Sequence, residues 1–197
     1  MKNRVLSVHQ EHELLMKLEQ AGLSEADAQA VIQSRGNSLA KEILGVIRGK
    51  VVDGDWFSFS TTTATLKELR VRNPDVFWGE NTWWFNQPFA NKKGKTGKLQ
   101  IRTSAVYGSF SKNWNEQQEL LADGEFVPTV RDLVEGMIAY YRATGKRIFS
   151  DFWVRTQDVS SDGHRAVVAF YSDGLSVYDV WGGSRYSGLG VAVARKS

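Results

Sequence analysis

At 197 residues, with 42% hydrophobic and 12% aromatic content, the chain has material for one moderate domain or a small one plus a larger one. It carries no collagenous or disordered signature. Its 25 basic and 22 acidic residues leave a formal charge of +3, a mild excess that argues against a dedicated nucleic-acid binder. The absence of cysteine excludes disulfides, thiolate metal sites and thiol nucleophiles together.

Residues 1–50 read as a small helical segment. Leu14, Leu15 and Leu18 share one helical face, and Gly22 stands where a left-handed C-cap belongs. Ser24 and Asp27 suit the first turn of a second helix, and Asn37 can cap a third that carries Leu39, Ile43, Val46 and Ile47. Three short helices loosely resemble a ubiquitin-associated-type bundle, and any packing appendage has the same pattern. His9 and His12 lie one turn apart, but no third ligand stands near, so a solvated face is the reading. The N-terminus MKNRVLSVHQEHELL has no apolar core of a secretion signal, and no apolar run reaches the roughly 18 residues of a membrane span. The expectation is a chain that works in the cytoplasm or on a virion.

A larger unit is expected over 51–197. Trp56-Phe57-Ser58-Phe59 alternates like a strand, and Leu66–Val71 reads as a helical turn stopped by Asn73-Pro74. Six aromatics follow within 13 residues: Phe77, Trp78, Trp83, Trp84, Phe85 and Phe89. They could stack bases or sugars. Pro88 and the Gly-Glu-Asn turn favour a folded loop that buries them as core. Asn91–Lys98, NKKGKTGK, lacks the glycine spacing and the following helix of a Walker loop, so a solvated hairpin tip is expected.

Trp114–Leu121 is predicted helical, with Glu116, Gln117 and Glu119 toward solvent. Thr129 and Asp132 open the strongest helix, whose buried stripe is Leu133, Met137, Ile138 and Tyr141 and whose stop is Gly145. From Phe149 the chain alternates through short strands, with turns at Ser161-Asp162-Gly163 and Ser172-Asp173-Gly174. Neither Asp-Gly has the run of oxygens a calcium loop needs.

The tail, about 151–197, differs in texture. Between Val159 and Val193 there is no Lys, Glu, Gln or Met, while the remainder of the chain holds 35 of them. Tyr, Ser, Gly and Asp crowd this window, a mixture that suits a recognition surface. It resembles the variable region of proteins diversified by diversity-generating retroelements. The resemblance extends upstream through Ile101–Val106, Trp114–Gln118 and Val127-Pro128 to about residue 77. In that family, template adenines are randomised, so an Asn codon becomes Tyr, Ser, Asp, Gly, His, Val, Ala or Phe, but not Lys, Glu, Gln, Met or Trp.

The resemblance implies an α+β, C-type-lectin-like domain in which the two chain termini pair and Leu189–Lys196 forms a final core strand. It also implies varied, ligand-binding positions at His164, Val168, Tyr171, Ser176, Tyr178, Asp179 and Val180. Further ones follow at Gly182, Gly183, Ser184, Tyr186, Ser187 and Gly188, all on one exposed face, with Trp181 and Arg185 as fixed scaffold. The implied function is ligand binding without catalysis, cofactor or metal, toward a protein or cell-surface ligand. Formylglycine-generating enzymes share the fold but need a Cys pair or a His-based metal site, and this chain has no Cys and three His. A third reading is a nucleic-acid-associated module using the Lys92–Lys98 loop and the Trp cluster.

Overall fold

A computed structural model describes residues 56–197 and the isolated positions Met16, Ser24 and Gln29. The chain divides into Met1–Val52 and Asp53–Ser197, and the described strands all belong to the second unit. The helices expected within 1–50, and the His9/His12 pair, lie outside the described residues.

The second unit is α+β. Its strands are β1 (Trp56–Thr61), β2 (Gly97–Arg102), β3 (Glu125–Phe126), β4 (Trp153–Val159), β5 (Arg165–Tyr171), β6 (Gly174–Val180), β7 (Leu189–Val191) and β8 (Ala194–Lys196). The α-helices are α1 (Leu66–Arg72), α2 (Trp114–Gln118) and α3 (Val130–Thr144). The strands form two four-stranded sheets, ordered β1-β2-β8-β3 and β6-β5-β4-β7. All ladders are antiparallel except β4–β7.

Local sequence dictates the helices. Thr65 and Glu68 close a capping box on α1, and Asn113 and Glu116 close one on α2, each satisfying N–H groups that a helix start leaves open. Thr129 accepts from the Asp132 N–H at the start of α3, and Gly145 ends it with φ +70°. Leu133, Met137 and Ile138 are buried as the stripe requires.

Helix α3 packs against β1 and β2 on one side and β4 and β5 on the other, so one core serves both sheets. Gly136 permits the approach. A Cβ there would come within 2.7 Å of Ile101 Cδ1 and 2.8 Å of the Phe59 ring. The aromatic run behaves largely as core: Phe77, Trp84 and Phe89 are buried, and Trp84 Nε1 donates to Asn81 Oδ1 at 2.9 Å. The same oxygen accepts from the Val177 N–H, so this segment clamps the free edge of β6.

Three expectations are corrected. The segment Leu189–Lys196 is not one strand. It leaves the second sheet after Val191 and enters the first at Ala194, with Ala192 and Val193 fully enclosed between. The switch occurs because Ala192 N–H pairs with the Arg155 carbonyl while the Val193 carbonyl pairs with Arg102 N–H. The terminal strand also does not pair with β1, since β2 lies between β1 and β8. Finally, Asn91–Lys98 is no hairpin tip. The partners β1 and β2 are separated by α1 and two 3-10 turns, and the lysine loop lies along the start of α3.

Substituting Gly136→Ala tests the shared core. Alanine adds about 1 kcal/mol of helix propensity, but overpacking costs about 1–3 kcal/mol. The expected result is a lower urea midpoint at unchanged slope. A raised midpoint would show that helix and sheet are not in close contact.

Candidate ligand-binding face

Strand register sorts the tail residues. Val168 pairs with Val154 and Val177 on the inner face, against α3. One step along each strand, Val167 pairs with Arg155 and Tyr178, and Trp153 pairs with Leu189, on the outer face. Over that outer face lies a concavity of about 480 Å³, walled by Trp153, Val167, Tyr178, Val180, Tyr186 and Leu189. Its volume falls in the range of small-ligand sites.

Aromatic rings form a continuous row along it. Trp83 stacks on Tyr178 at 6.2 Å, Tyr178 meets Trp153 edge-on at 5.3 Å, and Trp153 meets Tyr171 edge-on at 5.4 Å. Trp83 is fixed by its Nε1 donating to the Val177 carbonyl. Burial, reinforced by Asp151 and Asp173, raises the Tyr171 phenol above its usual pKa, so it remains a neutral donor at physiological pH.

The rim is the loop 181–188 between β6 and β7. Four of its carbonyls accept hydrogen bonds from the body of the domain. Gly182 takes the Trp114 N–H at 2.9 Å, Ser184 takes Arg155 Nη2 at 2.7 Å, Tyr186 takes the Ser111 N–H at 3.1 Å, and Gly188 takes the Trp153 N–H at 2.9 Å. These four anchors are main-chain carbonyls, so they do not depend on which side chains those positions carry, while Arg185 adds one side-chain anchor to Glu116 at 2.9 Å. Room for larger side chains exists at two of its glycines, whereas a Cβ at Gly183 would come within 2.4 Å of the Trp181 ring. A Cβ at Gly188 meets nothing within 4 Å, and one at Gly182 makes only ordinary contacts, the nearest 3.8 Å.

Beneath the loop lies a buried polar hub. Arg155 is 0% exposed, and its guanidinium donates to the Lys112 carbonyl at 2.9 Å and to Gln117 Oε1 at 2.8 Å, besides Ser184. Gln117 in turn donates to the Ser109 and Leu189 carbonyls at 2.7 and 3.1 Å. Burial, with Arg165 near, pulls the Arg155 pKa down to about 10, which still leaves it charged at neutral pH. The sequence pattern directs Gln117 toward solvent. It is buried instead, because α2 turns that face onto Arg155.

The expected binding positions divide accordingly. Tyr178, Val180, Tyr186 and Gly188 line the concavity, and Asp179 touches it. Gly182, Gly183, Ser184 and Ser187 ride on the anchored loop, and Tyr171 joins through Trp153. His164 sits with Asp179 at the end of the β5–β6 ladder, Nδ1 to Oδ2 3.8 Å, on the opposite strand parity from Tyr178. Val168 and Ser176 do not belong to an exposed face. Val168 is core, and Ser176 is 3% exposed where the Trp83 turn packs on β6.

Trp181 reverses its expected role. It is 66% exposed, its ring lying over Gly183 at the rim, because it falls one residue past the last paired position of β6. Arg185 is also exposed, bound to Glu116 at 2.9 Å.

Trp83 and Trp153 belong to this face, although sequence reasoning assigns the first to core and passes over the second. A signal for Trp153 exists: Phe152 and Val154 alternate inward, which turns Trp153 outward.

Among the described residues there is no grouping of three or more His, Asp or Glu able to hold a metal. No described helix is long and apolar enough to cross a membrane. Of the aromatic cluster, Phe89 lines the lysine cavity but is buried, and that cavity shares no residue with the aromatic concavity. No family model, curated protein or solved structure matches the chain.

Replacing Arg155 with Met leaves the buried Gln117 oxygen and the part-buried Lys112 and Ser184 carbonyls without their donor, the buried one at about 1–3 kcal/mol. The variant should be strongly destabilised, with 181–188 cleaved faster under limited proteolysis. Trp181→Ala should stay within about 0.5 kcal/mol of wild type, as exposed substitutions do. Urea denaturation of both checks the contrast, and a larger loss in the Trp181 variant would invert it.

Proposed function

We propose that the chain is a ligand-binding protein on a C-type-lectin-like domain, whose outer sheet face and 181–188 loop are the surface diversified by a retroelement through adenine-directed mutagenesis. Its role is recognition of a protein or cell-surface ligand, without catalysis. The observation that carries this reading is the anchoring of the loop through the carbonyls of Gly182, Ser184, Tyr186 and Gly188. Main-chain anchoring tolerates any side chain, which a repertoire requires and a single-purpose loop does not.

Composition supports the same reading. Residues that adenine replacement in an Asn codon can reach occupy the loop and the concavity wall at Tyr178, Ser184, Tyr186 and Ser187. The side-chain anchors that must stay constant are Arg155 and Gln117, and Gln is a residue such replacement cannot produce. Arg155 and Gln117 also precede the Lys/Glu/Gln/Met-free window. Tyr and Trp supply large contact area at low entropic cost, as in other paratopes. The nucleic-acid alternative has fewer rings to stack on, because Trp84, Phe77 and Phe89 are core.

A library varied at Tyr178, Gly182, Ser184, Tyr186, Ser187 and Gly188 with the residue set of a mutated Asn codon tests this. Most members should melt within a few degrees of wild type, and selection against unrelated proteins should yield different binders from one scaffold. Widespread loss of folding would sink the proposal. So would a parent locus without a reverse transcriptase gene and a near-copy of the 3′ coding end.

A further inference from the structure

A second cavity, of about 560 Å³, opens between the lysine loop, the start of α3 and the end of β8. Lys92, Lys93, Lys95, Lys98 and Lys196 line it. Lys92 is committed to buried Asp158 at 3.1 Å, whose other oxygen accepts the Val130 N–H at 2.9 Å. Asp132 is committed to Arg131. Lys93, Lys95, Lys98 and Lys196 therefore have no carboxylate within ion-pair distance among the described residues.

The loop that carries them is held in place. Thr61 Oγ1 donates to the Lys95 carbonyl at 2.6 Å. Gly94 lies directly over the Arg131 guanidinium, where a Cβ would come within 2.1 Å of Cζ. That guanidinium is itself locked by the Ala64 carbonyl at 2.8 Å, Glu135 Oε2 at 2.7 Å and the Thr62 carbonyl. None of the four lysines forms an ion pair among the described residues, although Lys93 lies within electrostatic reach of Glu68, and together they give this exposed surface a positive field that a polyanion would offset.

We infer that this cavity binds the phosphodiester backbone of a nucleic acid without reading its bases. Lysine ammoniums act as point charges rather than bidentate forks, which suits backbone contact. The cavity offers no exposed ring for stacking, since Phe89 is 1% exposed and Phe126 is half-buried. The N–H groups that would cradle a single phosphate at the start of α3 are taken by Asp158 and Thr129. The site is concave, and none of the exposed large hydrophobic residues lines it, so it does not fit a flat anionic membrane. The inference is independent of the aromatic face.

Fluorescence anisotropy on the full chain, with a short labelled single strand and its duplex, tests it. Neutralising four phosphates gives a slope of about −3.6 for the duplex and about −2.8 for the single strand in log affinity against log salt, so duplex affinity should fall roughly a hundredfold between about 50 and 200 mM salt. Lys95→Gln with Lys98→Gln should reduce the duplex slope by about 1.8. Lys112→Gln with Lys146→Gln removes the same charge elsewhere and should leave the slope unchanged. The inference is overturned by absence of binding at low salt, by equal losses in the two double variants, or by preference for phosphatidylserine vesicles over both oligonucleotides.

Discussion

A guanidinium buried without a carboxylate holds the 181–188 loop and the outer sheet face of this domain in shape. Arg155 lies wholly out of solvent, yet its pKa of about 10 keeps it charged. Hydrogen bonds from its two terminal nitrogens to Gln117 Oε1 and to the carbonyls of Lys112 and Ser184 offset part of its lost hydration, while its buried Nε has no partner. The acceptors come from three places: the segment before α2, α2 itself, and the 181–188 loop. One side chain thus fixes the mutual position of elements that are distant in sequence, and only the forked, always-charged arginine can do so at that point.

The strand that carries Arg155 also joins the sheets. The Arg155 carbonyl receives the Ala192 N–H at the place where the chain leaves the second sheet for the first. Val191 and Val193 pack in a small cluster with Val106 and Val127, apart from the main core around α3. Loop 181–188 is therefore stretched between an anchored strand end and an enclosed switch. Its freedom lies in its side chains rather than its path, a division of labour expected of binding loops on a rigid scaffold.

Two chemistries are kept apart on the unit. The aromatic concavity starts where β4 begins, at Trp153, and the lysine-lined cavity reaches β4 near its other end, at Asp158. Five residues of extended strand separate those positions by about 17 Å. A face rich in ring edges and hydroxyls favours shape-selective contact, whereas a lysine-rich loop favours long-range, salt-sensitive attraction.

Periodicity and capping in the sequence determined much of the local structure. The start and stop of α3, its inward stripe, the aromatic core around Trp84 and the turns at Gly163 and Gly174 are all short-range matters. The side chains that decide them lie within a few residues of each other. The α+β class and the burial of Leu175, Val177, Leu189, Val191 and Val193 were legible for the same reason. Only the tertiary structure decided the rest. Val168 is core because its neighbours across the ladder are Val154 and Val177, and Trp181 is exposed because β6 pairing ends at Val180. Gln117 is buried because Arg155, 38 residues away, needs its oxygen. A strand's two faces are equivalent until a partner covers one of them, and that partner is chosen by contacts between residues far apart in the chain.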